Sequence, residues 1–299
     1  MMRTAARRLR DLATQLAYPG PIPEPSAAAQ LDLVLRYQQM LRSGIVLPSL
    51  SDIGFQVRSQ VDEDGILLYL FALAGMGNRR CIEMCAGAGE QSNTANLILT
   101  HGWHGLLVEG DPYLVARGRN FYARHPGSRA FPPIYAHHWI TQESVNDLVV
   151  EHGFTDDIDL LSFDLDGIDW WIWQALEACS PRVVVVEYQE IIGPDACLTV
   201  PYSANFNGYE RSETRGMPNY AGASLSAYVT LARRKGYRLV GCNRLCFNAF
   251  FVRNDILPDV LPEVSAACCF DHPKAQWGMR ERWPEVADME WVDVRQVLA

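Results

Sequence analysis

Nothing in this sequence of 299 residues approaches the run of ~20 apolar residues that a membrane-spanning helix needs, so no such span is expected. A basic surplus is also missing. Lys and Arg total 26 against 35 Asp and Glu, a formal charge of -9, and no long basic stripe interrupts the balance. Duplex nucleic acid is therefore not an expected partner. Met1 to Arg10 carries four arginines but lacks the apolar core of a signal peptide, and a Pro-rich break soon follows. It reads as a surface helix. No internal repeat is evident.

Cysteine is not scarce: eight are scattered at positions 81, 85, 179, 197, 242, 246, 268 and 269, several within apolar runs. That distribution suits reduced thiols and a cytoplasmic setting. Cys242 and Cys246 with Cys268 and Cys269 form a nominal zinc set, but the first pair flanks an expected hairpin and the second sits in an apolar segment, so zinc is not expected. With 48% hydrophobic and 20% charged residues, the chain suffices for one large domain plus extensions, or for two modest ones.

Helical periodicity over 4–17 and 27–43, either side of the break at 19–25, predicts an N-terminal helical extension over residues 1–50. Leu31, Val34 and Leu35 share one face of its second helix, with Leu41 further along. That face needs a cover, either the main domain or, through these helices, a second copy in a homo-oligomer. From about residue 79, short apolar runs alternate with amphipathic ones: RCIEMC, GLLVEG, PPIYAHH, IDLLSFDL and VVVVEY, separated by helices near 91–101, 113–124, 142–152 and 168–178. Such alternation predicts an α/β fold with a doubly wound, mostly parallel sheet. A helix at 223–235 precedes YRLVGCN and NAFFVR, which are too close for a parallel connection. They must form a hairpin, giving seven strands with one antiparallel. The expected main domain is 51–255, with a polar insertion at 192–221 as a substrate lid and a Trp-bearing tail at 256–299.

In CIEMCAGAGEQSNTANL the glycines fall after the first strand and before a helix, where a tight turn lets a ligand approach backbone N–H groups. About twenty residues on, Glu109 ends the second strand, placed either to accept hydroxyl hydrogen bonds from a ribose or to help start the helix that Asp111-Pro112 already caps. A dinucleotide fingerprint requires G-x-G-x-x-G. Here Gly87 and Gly89 are followed by Glu90, Gln91 and Ser92. The missing third glycine argues against a nicotinamide-dependent oxidoreductase, whereas Glu83 inside the first strand and a reversed last strand suit S-adenosylmethionine.

In DLLSFDLDGIDWWIW, Asp164 and Asp166 share one face of an extended strand end, Asp169 follows, and Glu187 ends the adjacent strand. Converging carboxylates favour Mg²⁺ or another hard cation. The alternative is that Asp166 and Asp169 cap the helix starting near Trp170. Without metal, Asp166 or Asp169 suits a general base. His137 and His138 end the third strand, and a histidine there can also deprotonate a hydroxyl. Among the tryptophans at 139, 170, 171 and 173, helical spacing assigns Trp170 and Trp173 to core packing. In the insertion, Tyr202, Asn205, Asn207, Tyr209 and Arg211 are the hydrogen-bonding candidates.

Taken in order, IEMCAGAGEQSNT, GLLVEGDP, LLSFDLDGIDWWIW, VVVVEY and the GASLSAYVTLARRKGYRLVGCN…NAFFVR stretch resemble the S-adenosylmethionine-dependent methyltransferases of the broad FkbM-like group, over roughly residues 55–253. FQVRSQVDEDG resembles that group's lead-in. The resemblance implies a class I, Rossmann-like methyltransferase, commonly acting on hydroxyl groups of sugars or natural products. It implies that Glu83, Cys85, Gly87 and Gly89 line the cofactor turn, that Glu109, with Gly110 and Asp111, holds the ribose, and that His137 lies by the adenine. Asp164 would face the methionine amino group or, with Asp166 and Glu187, a metal. Ser92 and Asn93 would open the helix facing the cofactor carboxylate, with Gln60 and Asp64 closing over it; Asp166, Asp169 and His138 are the candidates for proton transfer. Similar proteins place glycine at position 85, and that departure, with the helical extensions, raises the rival reading of a catalytically silent binding or scaffold protein on this fold.

Overall fold

The computed structural model describes residues 27–206 and 219–298. Three helices precede the sheet: α1 (Ala27–Arg42), α2 (Leu50–Ile53) and α3 (Glu63–Ala74). Strands and helices then alternate through β1 (Arg80–Met84), α4 (Ala95–His101), β2 (His104–Glu109), α5 (Pro112–Arg124), β3 (Ile134–His137), α6 (Val145–Glu151), β4 (Asp156–Phe163), α7 (Asp169–Ala175) and β5 (Cys179–Glu187). After the short β6 (Leu198–Thr199) come α8 (Leu225–Arg234), β7 (Tyr237–Cys242) and β8 (Asn248–Arg253). The chain finishes with α9 (Pro273–Glu281), β9 (Val292–Asp293) and α10 (Val294–Val297).

Seven strands form one sheet in the order β3-β2-β1-β4-β5-β8-β7. β1 to β5 pair in parallel, while β8 runs antiparallel to both β5 and β7. This is the expected α/β architecture of the class I methyltransferase type, with its single reversed strand. The apolar runs explain the sheet's burial on both faces. Ile82, Met84, Leu106, Val108, Leu161 and Val184 join the core beneath α6, α7 and α8, whereas Cys81, Leu107, Leu160, Val183 and Val185 join the core beneath α1, α3, α4 and α5. Trp170 and Trp173 are fully buried in the first core, as their helical spacing predicts.

Three helices, α4, α6 and α7, are shorter than their periodicity suggests, and α6 starts only at Val145. α4 starts at Ala95, directly after Thr94, whose N–H donates to Glu83 on β1 at 2.9 Å. α7 stops at Ala175, and the next amides, of Glu177 and Ala178, donate instead to Asn146 Oδ1. On α1, Val34 and Tyr37 turn into the core, but Leu31 and Leu35 stay 53% and 64% exposed, so the main domain does not cover the whole predicted face. The first predicted helix, 4–17, lies outside the described residues.

The C-terminal segment is bound into the body. β9 pairs antiparallel with β6, and Cys269, Phe270, Ala275, Val286 and Val294 join the sheet core. No helix among the described residues is long and apolar enough to cross a membrane.

Candidate active site

Register decides which strand tips meet. Glu83 and Met84 pair with Leu107 and Val108, so the residue after β1 lies beside Glu109. Phe163 pairs with Met84 on one side and Val186 on the other, so Asp164 lies between the glycine turn and Glu187. Both groups of acids therefore stand at the C-terminal edge of the sheet, where open α/β sheets receive ligands.

The glycine turn is braced from within. Glu109 Oε2 accepts from the Gly87 N–H at 2.9 Å and its Oε1 from the Asp111 N–H at 2.8 Å. Beneath the turn, the Tyr122 hydroxyl donates to the Gly89 carbonyl at 2.6 Å and the Tyr135 hydroxyl to the Gly87 carbonyl at 2.5 Å. Burial pushes both phenols up and keeps them protonated donors. Gly89, at φ +70°, is required: a Cβ there would lie 2.8 Å from the Tyr122 ring. At Gly87 a Cβ would meet nothing within 4 Å, so the outer side of the turn is open. Sequence spacing does not reveal either tyrosine.

Cys85 adopts φ +67°, the left-handed region that explains why glycine is usual at this position. Its Sγ lies 3.7 Å from Glu109 Oε2, and burial together with Glu109 and the nearby aspartates pushes the thiol well up. Cys85→Gly is expected to relieve about 1 kcal/mol of backbone strain, offset in part by chain entropy. Thermal unfolding should therefore show a melting temperature equal to or above that of the parent; a marked fall would mean that the thiol packs the turn.

Several predicted cofactor residues face inward. Glu83 is buried and accepts from the Thr94 N–H and the Ser162 hydroxyl, each at 2.9 Å, while Asn93 donates to Ser162 at 3.1 Å. Together they tie β1, β4 and the start of α4. The Ser92 hydroxyl sits 3.3 Å from that of Thr94 in the turn before the helix. Asp64 is buried, and its Oδ2 accepts from the amides of Val57, Arg58 and Ser59 at 2.5–2.8 Å. Its Oδ1 is buried with no partner. Burial outweighs these bonds and raises the Asp64 carboxyl to about 6. Gln60 is exposed, and its carbonyl accepts from Gln56. The neighbouring Glu63, passed over in the sequence, clamps the lead-in: Oε1 accepts from Asn243 at 2.8 Å and Asn248 at 2.9 Å.

Asp164, Asp166 and Glu187 each present an oxygen, all within 4.8 Å of one another. Burial, then Glu187, drives the Asp164 carboxyl well above the usual range, and the two acids share a hydrogen bond. Burial likewise raises Glu187 to about 7. Burial and mutual repulsion of the acids favour a proton held between the pair. Near it, the Tyr228 hydroxyl on α8 is buried without a partner, and burial, then Asp169, Glu187 and Asp164, push its phenol up. Tyr228 gave no motif-level signal.

Asp169 is placed differently from either sequence reading. Only 2% exposed, it accepts from the Leu165 N–H at 2.6 Å and the Gly167 N–H at 3.1 Å, so it holds the acidic loop from behind instead of capping the helix or facing an acceptor. Asp166, at φ +55°, projects from that loop. His138 Nε2 lies 2.9 Å from the Ser144 hydroxyl at the start of α6, and exposed His137 lies 3.2 Å from the Gly110 carbonyl.

The tryptophans divide by role. Trp139, 48% exposed, lies against Gly110, where a Cβ would fall 2.8 Å from its ring, and donates to the Ala204 carbonyl at 2.7 Å. Trp171 donates to the Val200 carbonyl at 2.8 Å. Tyr202 is tied to Glu143 and to the Gln142 N–H, at 2.6 and 3.0 Å. Phe206 is buried against Gly167. These four side chains fasten residues 200–206 over the acidic loop. Asn205 is exposed beside them, while Asn207, Tyr209 and Arg211 lie outside the described residues.

No protein-family model and no curated protein matches the chain. Solved structures that resemble it include magnesium protoporphyrin IX methyltransferase from Synechocystis with bound S-adenosylmethionine, at 10% identity over 64% of this chain and 77% of that one, TM-score 0.39. An O-methyltransferase from Bacillus cereus in complex with S-adenosylhomocysteine matches at 15% identity over 57% and 71%, TM-score 0.34. An S-adenosylmethionine-dependent methyltransferase from Clostridium acetobutylicum matches at 8% identity over 74% and 98%, TM-score 0.38. A further match, from Galdieria sulphuraria, is covered over 60% of its own length, with TM-score 0.39.

Proposed function

We propose that the chain is an S-adenosylmethionine-dependent methyltransferase acting on a hydroxyl oxygen of a polar small molecule, with a hard divalent cation at the acidic loop. One observation carries this reading: an open glycine turn with Glu109 at its side stands next to a carboxylate cluster on the adjoining strand tips.

The residues suit both groups. Room in front of Gly87 and the orphaned Asp64 oxygen suit a ligand along the turn. Three carboxylate oxygens, two of whose owners are forced to share a proton, suit a doubly charged hard cation. When bound, S-adenosylmethionine supplies an electrophilic methyl group, and the cation supplies the charge that orients and acidifies a hydroxyl.

Glu109 holds the ribose through its remaining lone pairs, with Gly110 and Asp111 completing that wall. Gln60 and Asp64 cover the amino-acid end. Asp164 and Glu187 fix the acceptor side, and Asp166, the carboxylate that projects from the loop, takes the hydroxyl proton as the methyl group is accepted. Asp169 positions Asp166 through the loop amides. Residues 200–206 wall the acceptor side and exclude water.

Titration calorimetry with S-adenosylmethionine is expected to show one-site binding, and a panel of hydroxylated acceptors, with and without Mg²⁺, to yield methylated product. Absence of binding heat would favour the silent scaffold.

A further inference from the structure

The geometry points to a metal site of a different kind from the acidic loop: Cys242, Cys246 and Cys269 together bind a soft, thiophilic ion, monovalent copper. Cys242 ends β7, Cys246 lies in the turn that leads into β8, and Cys269 closes the 3₁₀ turn Ala266–Cys269 of the C-terminal segment. The fold gathers all three. The Cys242 thiol lies within hydrogen-bonding reach of both the Cys246 and the Cys269 thiols, and none of them is in a disulfide. Cys246 and Cys269 are buried, whereas Cys242 is only partly covered and gives an ion its way in. Backbone bonds hold the two buried residues: the Cys246 N–H donates to the Asn243 carbonyl at 3.0 Å, and the Tyr188 hydroxyl to the Cys269 carbonyl at 2.7 Å.

The ligand set selects the ion. Hard cations take oxygen, and structural zinc takes a closed tetrahedron of N and S ligands. Cys268, the nominal fourth thiol, is exposed and lies 3.3 Å from the Ser265 hydroxyl instead. Among the described residues, only the acidic loop gathers three or more ligand atoms all within 4.8 Å of one another, so the thiols form an open set and not a tetrahedral cage. Such a set, in an apolar shell that includes Tyr188, Ala249 and Phe270, suits monovalent copper, which soft thiolates select and which needs fewer ligands. The His272 N–H donates to the Cys246 sulfur, the kind of outer bond that supports a metal-bound thiolate. The hydrogen bond with Cys242, then burial, push the Cys246 thiol up, so its proton stays until an ion displaces it. Each sulfur that binds releases one proton to solvent, and no electron is transferred.

The site uses no residue assigned to methyl transfer, so its test is independent of that reading. Reduced, oxygen-free protein is titrated with Cu⁺ against the chelator bicinchoninate, and the loaded protein is examined by X-ray absorption at the copper edge. One equivalent of Cu⁺ per chain is expected to be withheld from the chelator, with a first shell of sulfur alone. Cys242→Ala should weaken that retention at least tenfold, and Cys268→Ala should leave it unchanged. The absorption spectrum is read on the parent protein, so it decides even where a variant fails to fold. Surrender of all copper to the chelator, oxygen or nitrogen in the first shell, or unchanged retention in a Cys242→Ala protein that melts like the parent would overturn the assignment.

Discussion

Replacing Asp164 by asparagine is expected to lower methyl transfer at least ~100-fold and yet to raise the melting temperature of the ligand-free protein at pH 8. The two effects share a cause. In the folded chain burial, with the charges of Asp166, Asp169 and Glu190, raises Glu187 to about 7 instead of its ordinary 4.5, and Asp164 is displaced upward first by burial and then by the charge of Glu187. Between those values the folded state binds more protons than the unfolded one, so stability must fall as pH rises through that interval. The acids titrate as a pair, and removing one charge relieves both. An advantage of roughly 1–3 kcal/mol for the variant at pH 8 should shrink toward zero below pH 4.5. Urea unfolding followed from pH 4 to 8 measures this directly. A variant less stable than its parent at pH 8 would show that Asp164 is a structural partner and not half of a frustrated pair. Mg²⁺ should reverse the order: at a hundred times its dissociation constant it stabilises the parent by about 2.7 kcal/mol and leaves the asparagine variant almost unchanged.

The second large effect is expected at Glu109. Glu109→Ala removes the acceptor for the Gly87 and Asp111 amides, bonds of 2.9 and 2.8 Å, and the proposed partner of the ribose hydroxyls. Hydrogen bonds to a charged acceptor are worth about 1.5–3 kcal/mol each, so S-adenosylmethionine should bind ten- to a hundredfold more weakly. Glu109→Gln keeps an acceptor oxygen and should fall between. Calorimetry on both variants, with melting temperatures as the control for folding, separates loss of the ligand from collapse of the turn. Unchanged affinity in Glu109→Ala would remove the ribose assignment.

Much of this geometry is legible in the sequence because strands with both faces covered must be apolar, and their ends are where polarity returns. Glu109, Asp164 and Glu187 each follow such a run directly, and parallel register then places them at neighbouring tips. What stays hidden is the direction of a side chain in a loop. Asp166 and Asp169 look equivalent in D-x-D-G-x-D, but the left-handed backbone at Asp166 turns one outward while the loop amides draw the other in. Support from below is equally silent. Tyr122, Tyr135 and Tyr228 read as ordinary core aromatics, and only the fold aims the first two hydroxyls at the turn and brings the third near the acids. Glu63 escaped notice because its partners, Asn243 and Asn248, lie 180 and 185 residues away.

That clamp has a bearing on biogenesis. On the ribosome, the segment before α3 emerges long before the β7–β8 hairpin that supplies both amides to Glu63, and Asp62 likewise waits for the Arg244 N–H. A nascent chain can assemble its first strands, but the lead-in before α3 is locked only once residues 243–248 have been synthesised. Truncation before residue 248 would leave that lead-in without its latch.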